Sequence, residues 1–235
     1  METDPVETLI NRYQTERQEV LSEYHAKQIL MRWGLPVPRC VLAETASDAI
    51  DQAEVMGYPV VLKVHSAKIT HKSDLGGVKL NLMNAAAVAQ AYAEISASCS
   101  PVDPAFKVLV QPMLPPGIEV ILGMSQDAQF GPVIMFGLGG LYTELFQDVA
   151  FRLLPVNQKQ ALDMLISVKA SKLFQGYRGK PGGDMNCVAQ MVVRLSDLIA
   201  RHPAIVELDL NPVLVYPDCA RVADARIVLQ SSRIF

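Results

Sequence analysis

A histidine beside two lysines and a Gly-Gly pair is the sequence feature best suited to phosphate chemistry. His71 lies in ITHKSDLGGVKL, with Lys68 and Lys72 close by and Gly76 and Gly77 following. A neutral imidazole attacks phosphorus well near neutral pH, and backbone N–H groups at glycines can approach an anion closely. The pattern is compatible with a phosphate-carrying loop. A plain surface histidine on a polar turn would have the same sequence.

Two further features could also contact phosphate. Lys63 lies inside the apolar run PVVLKV, and a lysine is costly to bury unless an anion receives it. Gly139 and Gly140 belong to GLGG, a possible second phosphate cradle. Two simpler interpretations stay open: Lys63 as an edge-strand lysine that reaches water, and the glycines as tight turns, since neither pair matches a Walker or dinucleotide-binding pattern.

Acidic side chains cluster near the end of the chain, in ELDLNPVLV and RVADARIVL. In a strand, Glu207, Asp209 and Asn211 point to one face while the leucines between them point to the other. Asp224 is expected on the next strand. Hard oxygen donors of this kind suit Mg²⁺, which binds nucleotide phosphates and keeps several waters. A solvated strand face is the alternative, although such a face usually mixes charges and no lysine accompanies these acids.

Weaker signals point to the organic part of a nucleotide. Glu119 follows a Pro-Pro-Gly turn and could accept hydrogen bonds from ribose hydroxyls, although a single strand Glu is usually solvent-facing. Gln111 and Met113, on either side of Pro112, could border an adenine through backbone groups.

Size and composition exclude several classes of protein. The chain has 235 residues, 50% of them hydrophobic and 19% charged, which is an ordinary globular composition. A net charge of -3 does not indicate binding to nucleic acid or to an anionic membrane, which basic proteins favour. Four cysteines occur without CxxC spacing, which predicts reduced thiols in a cytoplasmic protein. The charged start lacks an apolar signal-peptide core, and no apolar run reaches the length of a membrane span.

The elements that position these residues form an α+β pattern. Capped helices are predicted after Ser22, in the segment that ends at Gly57, and after Asn84, and they alternate with short strands. From about residue 107 onward, strands cluster as hairpins and two helices occupy the span 157–202. We therefore expect an N-terminal arm over 1–21, one subdomain over 22–106 and a second over 107–235.

The combination of motifs resembles the β subunit of NDP-forming acyl-CoA synthetases, also called ADP-forming acetate–CoA ligases. The resemblance runs from about Leu21 to Leu229. It is carried by LSEYHAKQIL, GYPVVLKV, ITHKSDLGGVKL, VLVQPML, EVILG, FGLGGLYTELFQDVAFRL, GYRGKP and ELDLNPV. These proteins are ATP-grasp members related to the β chain of succinyl-CoA synthetase. The resemblance implies two α+β subdomains with the nucleotide between them.

The resemblance also implies residue roles. Lys63 would contact the nucleotide phosphates, the segment 111–113 would line the adenine, and Glu119 would take the ribose. Asn211 and Asp224 would hold Mg²⁺, supported by neighbouring acids. Gly139 and its neighbour would border the phosphate channel. His71 would be phosphorylated on a loop that carries phosphate to ADP. The supporting acids are Asp209 and Glu207, and the second glycine is Gly140.

Nothing in the sequence resembles a CoA-binding unit, and in this family that part belongs to an α subunit. The implied reaction interconverts acyl-CoA, ADP and phosphate with free acid, CoA and ATP, in an assembly of two α and two β chains. Two alternatives are an ATP-grasp ligase that makes an acyl phosphate for an amine, and a nucleotide-sensing module without catalysis.

Overall fold

The computed structural model describes residues 4–69, 72–139, 148–176, 179 and 181–231. In these ranges the helices are α1 (Pro5–Thr15), α2 (Glu23–Arg32), α3 (Ala46–Met56), α4 (Ala85–Cys99), α5 (Gln158–Ser167), a 3-10 helix (Lys169–Gln175) and α6 (Met185–Arg201). The strands are β1 (Val20–Leu21), β2 (Val41–Ala43), β3 (Val60–His65), β4 (Val78–Leu82), β5 (Lys107–Pro112), β6 (Ile118–Asp127), β7 (Gly131–Leu138), β8 (Val149–Leu153), β9 (Ile205–Val215), β10 (Ala220–Val222) and β11 (Arg226–Leu229). Among the helices just named, none combines the length and apolar character that a bilayer crossing requires.

The chain divides into two compact units: Pro38–Pro115, and Met1–Val37 together with Pro116–Phe235. This division differs from the sequence-based one. The first two helices and β1 belong with the C-terminal half, and β5 belongs with the residues before it. Val6 and Leu21 are buried in the same apolar core as the C-terminal strands. A sequence shows that a helix has an apolar face, but it does not show which element covers that face.

The unit Pro38–Pro115 contains an antiparallel sheet with strand order β2-β5-β3-β4. Val60, Leu62 and Val64 of β3 belong to the core that this sheet shares with α3 and α4. Because successive strand residues point to opposite faces, Lys63 lies on the face away from that core. The apolar run PVVLKV thus forms a buried strand.

The second unit contains a larger antiparallel sheet with strand order β1-β11-β9-β6-β7-β8, and β10 also pairs with β9. The register places β11 beside residues 205–209 of β9 and β10 beside residues 213–215. The link between β10 and β11 therefore passes residues 210–212. Helices α2, α5 and α6 contribute buried side chains to the core of this unit.

The C-terminal strands differ from the sequence prediction in one detail. The run ELDLNPVLV lies in one continuous strand, β9. The run RVADARIVL is split into β10 and β11, with residues 223–225 between them. Asp224 therefore lies in a link and not on a strand, so that part of the prediction was wrong. The sequence pattern is apolar enough for a strand throughout, and the break appears only where both strands meet β9.

The predicted helix boundaries are confirmed. The Ser22 side chain accepts a hydrogen bond from a backbone N–H of the first turn of α2, and the Asn84 side chain does the same for α4. The helix after Thr45 begins with a capping box. Gly34 and Gly57 follow α2 and α3 with φ of 80° and 82°, a conformation that favours glycine and ends a helix.

Candidate functional site

Lys63 is a buried lysine in the interior of a sheet. Its strand lies between β4 and β5, with Lys63 opposite Val78 on one side and Leu109 on the other. The residue is 7% exposed. The alternative of an edge-strand lysine that reaches water is therefore wrong, because both edges of β3 are paired. Burying an ammonium group carries a large desolvation cost, so this position demands an anionic or strongly polar environment.

The sheet brings Lys63 together with Gln111, one of the predicted adenine-side residues. Val61 lies opposite Gln111 in the register of β3 and β5, and directly paired residues share a face. Lys63 and Gln111 thus occupy diagonal positions on the face away from the core, and Gln111 is 3% exposed. One cationic and one amide side chain are thereby fixed on rigid neighbouring strands.

The backbone of the predicted adenine segment is already partly used. The Met113 N–H donates to the Pro59 carbonyl at 2.9 Å, which continues the pairing of β3 and β5 beyond the last strand residue. Pro112 has no N–H to donate. Hydrogen bonding from this segment to an adenine therefore has to come from carbonyl groups or from the Gln111 side chain.

The glycine pair after the His71 loop forms a tight turn. The Gly76 N–H donates to the Ser73 carbonyl at 3.0 Å, and the Gly77 N–H donates to the Lys72 carbonyl at 2.8 Å. Gly76 has φ of 66°, and a Cβ on Gly77 would lie 2.5 Å from a methyl carbon of Val64. Turn geometry and close packing thus account for both glycines. A role in cradling phosphate stays a prediction that would require the turn to open.

The first part of the same loop is fastened to Asp103, a residue that the sequence did not single out. The Ser66 hydroxyl donates to the Asp103 carboxylate at 2.7 Å, and the Lys68 ammonium lies 3.4 Å from its other oxygen. The Ser66 hydrogen bond, the Ala105 N–H and the nearby Lys68 together hold the pKa of Asp103 below its ordinary value, against the effect of desolvation. In the described conformation the Lys68 charge is therefore directed at Asp103. His71 itself lies outside the described residues.

Glu119 and Gly139, which are twenty positions apart in sequence, are neighbours in the structure. The Gly139 N–H donates to the Glu119 carbonyl at 2.8 Å, and a Cβ on Gly139 would lie 3.0 Å from the Glu119 Cβ. The glycine is thus required by close approach to β6. The Glu119 side chain is exposed near the start of that strand, so an acceptor for ribose hydroxyls is compatible with its position. Gly140 lies outside the described residues.

The row of polar residues on β9 alternates as the sequence predicted. Leu208 and Leu210 are 1% and 0% exposed and belong to the core, whereas Glu207, Asp209 and Asn211 are less buried. A cation does accompany this row, contrary to the sequence interpretation. Arg226 of β11 lies opposite Asp209 and donates to the Glu207 carboxylate at 2.6 Å. Glu207 therefore has an ion-pair partner, which makes it the weakest of the four predicted metal ligands.

Asn211 and Asp224 are brought together by the link between β10 and β11. The Ala223 N–H donates to the Pro212 carbonyl at 2.9 Å, which fixes the link beside the Asn211–Pro212 segment. The Asp224 carboxylate accepts the Ala225 N–H at 2.7 Å. Sequence spacing did not reveal this backbone contact, because Ala223 reaches Pro212 through a break in the strand pairing.

Asp209 is a partly buried carboxylate whose titration is affected by its charged neighbours. The pKa of Asp209 is raised, chiefly by burial and then by the negative charge of Asp224, with Arg226 acting in the opposite direction. A bound cation would offset the repulsion between these two carboxylates.

The donors fit a magnesium ion better than a transition metal. Asp209, Asp224 and Asn211 offer carboxylate and amide oxygens, which are hard ligands, and Mg²⁺ needs only one or two carboxylates because it keeps waters and phosphate oxygens. Across the part of the chain that the structure describes, no three His, Cys, Asp or Glu side chains are grouped to hold a metal by themselves. All four cysteines are free thiols and none joins this group.

Comparison with known proteins gives close relatives over nearly the whole chain. The β subunit of the ADP-forming acetate–CoA ligase I of Pyrococcus furiosus is 40% identical over 212 residues, which cover 89% of this chain and 91% of that subunit. The ADP-forming acetate–CoA ligase II of Archaeoglobus fulgidus is 41% identical over 216 residues. Those residues are 92% of this chain but 31% of that ligase, so the chain spans about a third of the longer relative.

A solved structure shows the same architecture. It is the dinucleotide-forming acetyl-coenzyme A synthetase 1 of Ca. Korarchaeum cryptofilum in complex with coenzyme A and Mg-AMPPCP, with its phosphohistidine segment pointing towards the nucleotide binding site. It superimposes with a TM-score of 0.86 at 38% identity, covering 96% of this chain and 100% of that one.

The profile of the ATP-grasp domain matches residues 12–229, which include each of the site residues described above. Fold and sequence similarity therefore agree, and the chain belongs to the ATP-grasp family, in the group of the ADP-forming acetate–CoA ligase β subunits.

Proposed function

We propose that this chain is the nucleotide-binding subunit of an ADP-forming acyl-CoA synthetase. The reaction converts acyl-CoA, ADP and phosphate into free acid, ATP and CoA, and runs in either direction. The observation that carries this proposal is the similarity to a β subunit along nine-tenths of that subunit's length. The buried Lys63 supports it, because a desolvated ammonium on a rigid sheet suits nucleotide phosphates.

Each nucleotide contact has a proposed residue. Lys63 would contact phosphate oxygens, the segment 111–113 would line the adenine, and Glu119 would accept from the ribose hydroxyls. Asn211 and Asp224 would hold Mg²⁺, with Asp209 close to them. When bound, Mg²⁺ would neutralise charge on the phosphate oxygens that develops during transfer.

His71 would carry the phosphoryl group. A ring nitrogen of neutral His71 would attack the phosphorus of a phosphohistidine on the partner, so that one P–N bond forms as another breaks. A terminal β-phosphate oxygen of ADP would then attack the same phosphorus, forming the P–O bond of ATP and releasing neutral His71. The lysines next to it, Lys68 and Lys72, would offset the phosphoryl charge, which requires Lys68 to exchange Asp103 for phosphate.

The partner would be an α chain that carries the CoA-binding and acyl-transfer units. An assembly of two α and two β chains, a cytoplasmic location and an acyl group selected mainly by the partner complete the proposal. The free state of all four cysteines is compatible with a reducing compartment.

The test is to prepare the chain with and without a candidate α chain and to measure ATP formed from acyl-CoA, ADP and phosphate. We expect activity only with both chains. His71→Ala should abolish ATP formation and the acid-labile phosphate on this chain, while the reaction of acyl-CoA with phosphate on the α chain continues. Near-normal ATP synthesis by His71→Ala would refute the carrier role.

The same assays separate the two alternatives. A ligase that makes an acyl phosphate for an amine would consume ATP with acid and amine, independently of CoA and of His71. A nucleotide-sensing module would bind ATP or ADP without phosphoryl exchange even when the α chain is present. Either result would replace the proposed activity.

A further inference from the structure

Helix α2 contains a lysine that is fully enclosed. Lys27 is 0% exposed, and its ammonium lies 2.8 Å from the carboxylate of Glu23, one turn earlier on the same helix. Glu23 is also buried, at 4% exposed. A buried ion pair is weak support for stability in itself, since apolar residues often replace such a pair without loss. The contacts that this pair makes with the rest of the molecule are therefore a better guide to its role than its contribution to stability.

The Lys27 ammonium also donates to the Ala223 carbonyl at 2.8 Å. Ala223 precedes Asp224, and its own N–H donates to the Pro212 carbonyl, next to Asn211. A single residue is thus fixed on one side by Lys27 and on the other by the strand that carries Asn211. The two residues proposed to hold the metal are the immediate neighbours of these contacts.

A second contact ties the last residue of β10, just before the link, to the segment that follows α2. The Val222 N–H donates to the Pro36 carbonyl at 3.0 Å. The backbone before Asp224 is therefore held by α2 and by the residues directly after it, while the ladder of β9 is interrupted. Without such contacts, a link between two short strands would have greater conformational freedom.

We propose that Lys27 is a positioning residue for the metal ligands, holding the Ala223–Asp224 backbone so that Asp224 and Asn211 face the same ion. The inference rests on the proposed function, because it presupposes the metal site. The negative charge of Glu23 offsets the positive charge of Lys27. A lone buried ammonium near a divalent cation would repel it, whereas the Glu23–Lys27 pair has no net charge and still presents a strong donor to the carbonyl.

The competing explanation is that the pair only attaches α2 to the sheet. A purely structural pair would affect metal affinity only in proportion to folding stability. A positioning role would lower metal affinity more than folding stability. The reason is that it depends on the Lys27 hydrogen bond to Ala223 and not on the charge pair as such.

The experiment compares wild type with the double variant Glu23→Gln/Lys27→Met in the full chain. The double variant removes both charges, so that no buried charge is left uncompensated, and it also removes the hydrogen bond to Ala223. Mn²⁺ affinity is measured by electron paramagnetic resonance in the presence of ADP. ADP affinity in EDTA and the thermal midpoint are measured in parallel.

We expect the double variant to bind Mn²⁺ at least about tenfold more weakly than wild type. The two proteins should bind ADP in EDTA within about twofold of each other and unfold at similar temperatures. Equal Mn²⁺ affinity in the two proteins would overturn the inference, as would a loss of Mn²⁺ affinity that follows the loss of stability.

Asp224→Asn separates the failure of this inference from the failure of the proposed function. If wild type shows no Mn²⁺-dependent ADP binding, or Asp224→Asn does not weaken it, the metal site itself is wrong. If Asp224→Asn weakens Mn²⁺ binding and the double variant does not, only the role of Lys27 is wrong.

If the double variant does not fold, the proposal is tested by NMR on the wild-type chain with ¹⁵N-labelled lysine. The NMR signal of the buried Lys27 ammonium should shift when MgCl₂ is added to the ADP-saturated chain. The Asp224→Asn variant is the control, in which this signal should not shift. A Lys27 signal that does not shift when MgCl₂ is added would overturn the proposal.

Discussion

The region proposed to contact phosphate (the phosphate-side region) and the region proposed to hold the metal (the metal-side region) are built in opposite ways. The first uses neighbours in sequence: Lys63, the loop after it and Gly77 lie within one hairpin, β3–β4, and Val64 packs against that glycine. The second gathers Asp209 and Asn211 from β9 with Asp224 from a link, and α2 contributes a contact to that link from the other end of the chain.

This contrast explains why the first region can be recognised from a short motif. A hairpin keeps close in space what is close in sequence, so its glycine, lysine and strand pattern are read together. The metal-side residues depend on the pairing of β9 with β10 and β11, which no local pattern specifies. Substitutions should therefore act locally in the first region and through shared backbone contacts in the second.

The largest expected effect is that of Lys63→Met. The substitution keeps the length and apolar packing of the side chain but removes the charge proposed for phosphate, so turnover with the α chain should fall by about 100-fold or more. Adenosine affinity should change little. The matched control is Lys107→Met in the adjacent strand, where the lysine is more exposed and paired with Glu44. Equal turnover of wild type and Lys63→Met would show that the hairpin does not contact phosphate.

Asn211→Ala and Asp224→Asn should each weaken Mg²⁺-dependent nucleotide binding by about 10–100-fold, because each removes an oxygen ligand or its charge. Isothermal titration with ADP, with and without MgCl₂, measures the difference. Asp163→Asn, an exposed acid on α5 of the same unit, is the control. If excess Mg²⁺ does not restore affinity in either variant, the loss arises from altered packing of the link rather than from the metal.

Gly77→Ala tests whether the glycine pair serves the turn. The new methyl group would lie 2.5 Å from a Val64 methyl carbon and 2.9 Å from the Lys72 carbonyl oxygen. Overpacking of this kind costs about 1–3 kcal/mol in the free energy of unfolding, which urea titration measures. Gly57→Ala is a useful comparison, since it has a φ of 82° but no atom within 4 Å of the added carbon. Unchanged stability in Gly77→Ala would favour a loop that is open in solution.

The smallest expected effect concerns acid stability. Because the pKa of Asp103 is held below its ordinary value of 3.8, its contribution to stability is present above that pH and is lost as the pH falls through the lower, folded value. Asp103→Asn should therefore show a shallower loss of stability below about pH 5.

Ser66→Ala should shift the same acid transition upward, since the Ser66 hydrogen bond is the largest cause of the lowered pKa of Asp103. Denaturant midpoints measured between pH 3 and 6 test both variants, with Ser98→Ala on α4 as the control. An acid transition that is unchanged in Ser66→Ala would show that this hydrogen bond does not fasten the loop.

Much of the fold could be predicted because it depends on interactions between residues that are close in sequence. The capping residues Ser22, Thr45 and Asn84, the helix-ending Gly34 and Gly57, and the apolar run of β3 all act within a few residues of their own position. The unit boundaries could not be predicted, since burial of α1 and α2 against the C-terminal strands is a contact between distant segments.

The sequence by itself determined which residue types are available: a lysine in an apolar strand, a histidine beside two glycines, and three acids with an amide near the C-terminus. Only the tertiary structure decided how they are used. It paired both edges of the Lys63 strand, placed Arg226 against Glu207, and put Asp224 in a link that Lys27 contacts. The physical reason is that alternation and capping act over a few residues, whereas strand register and buried charge pairing are set by the packing of whole elements.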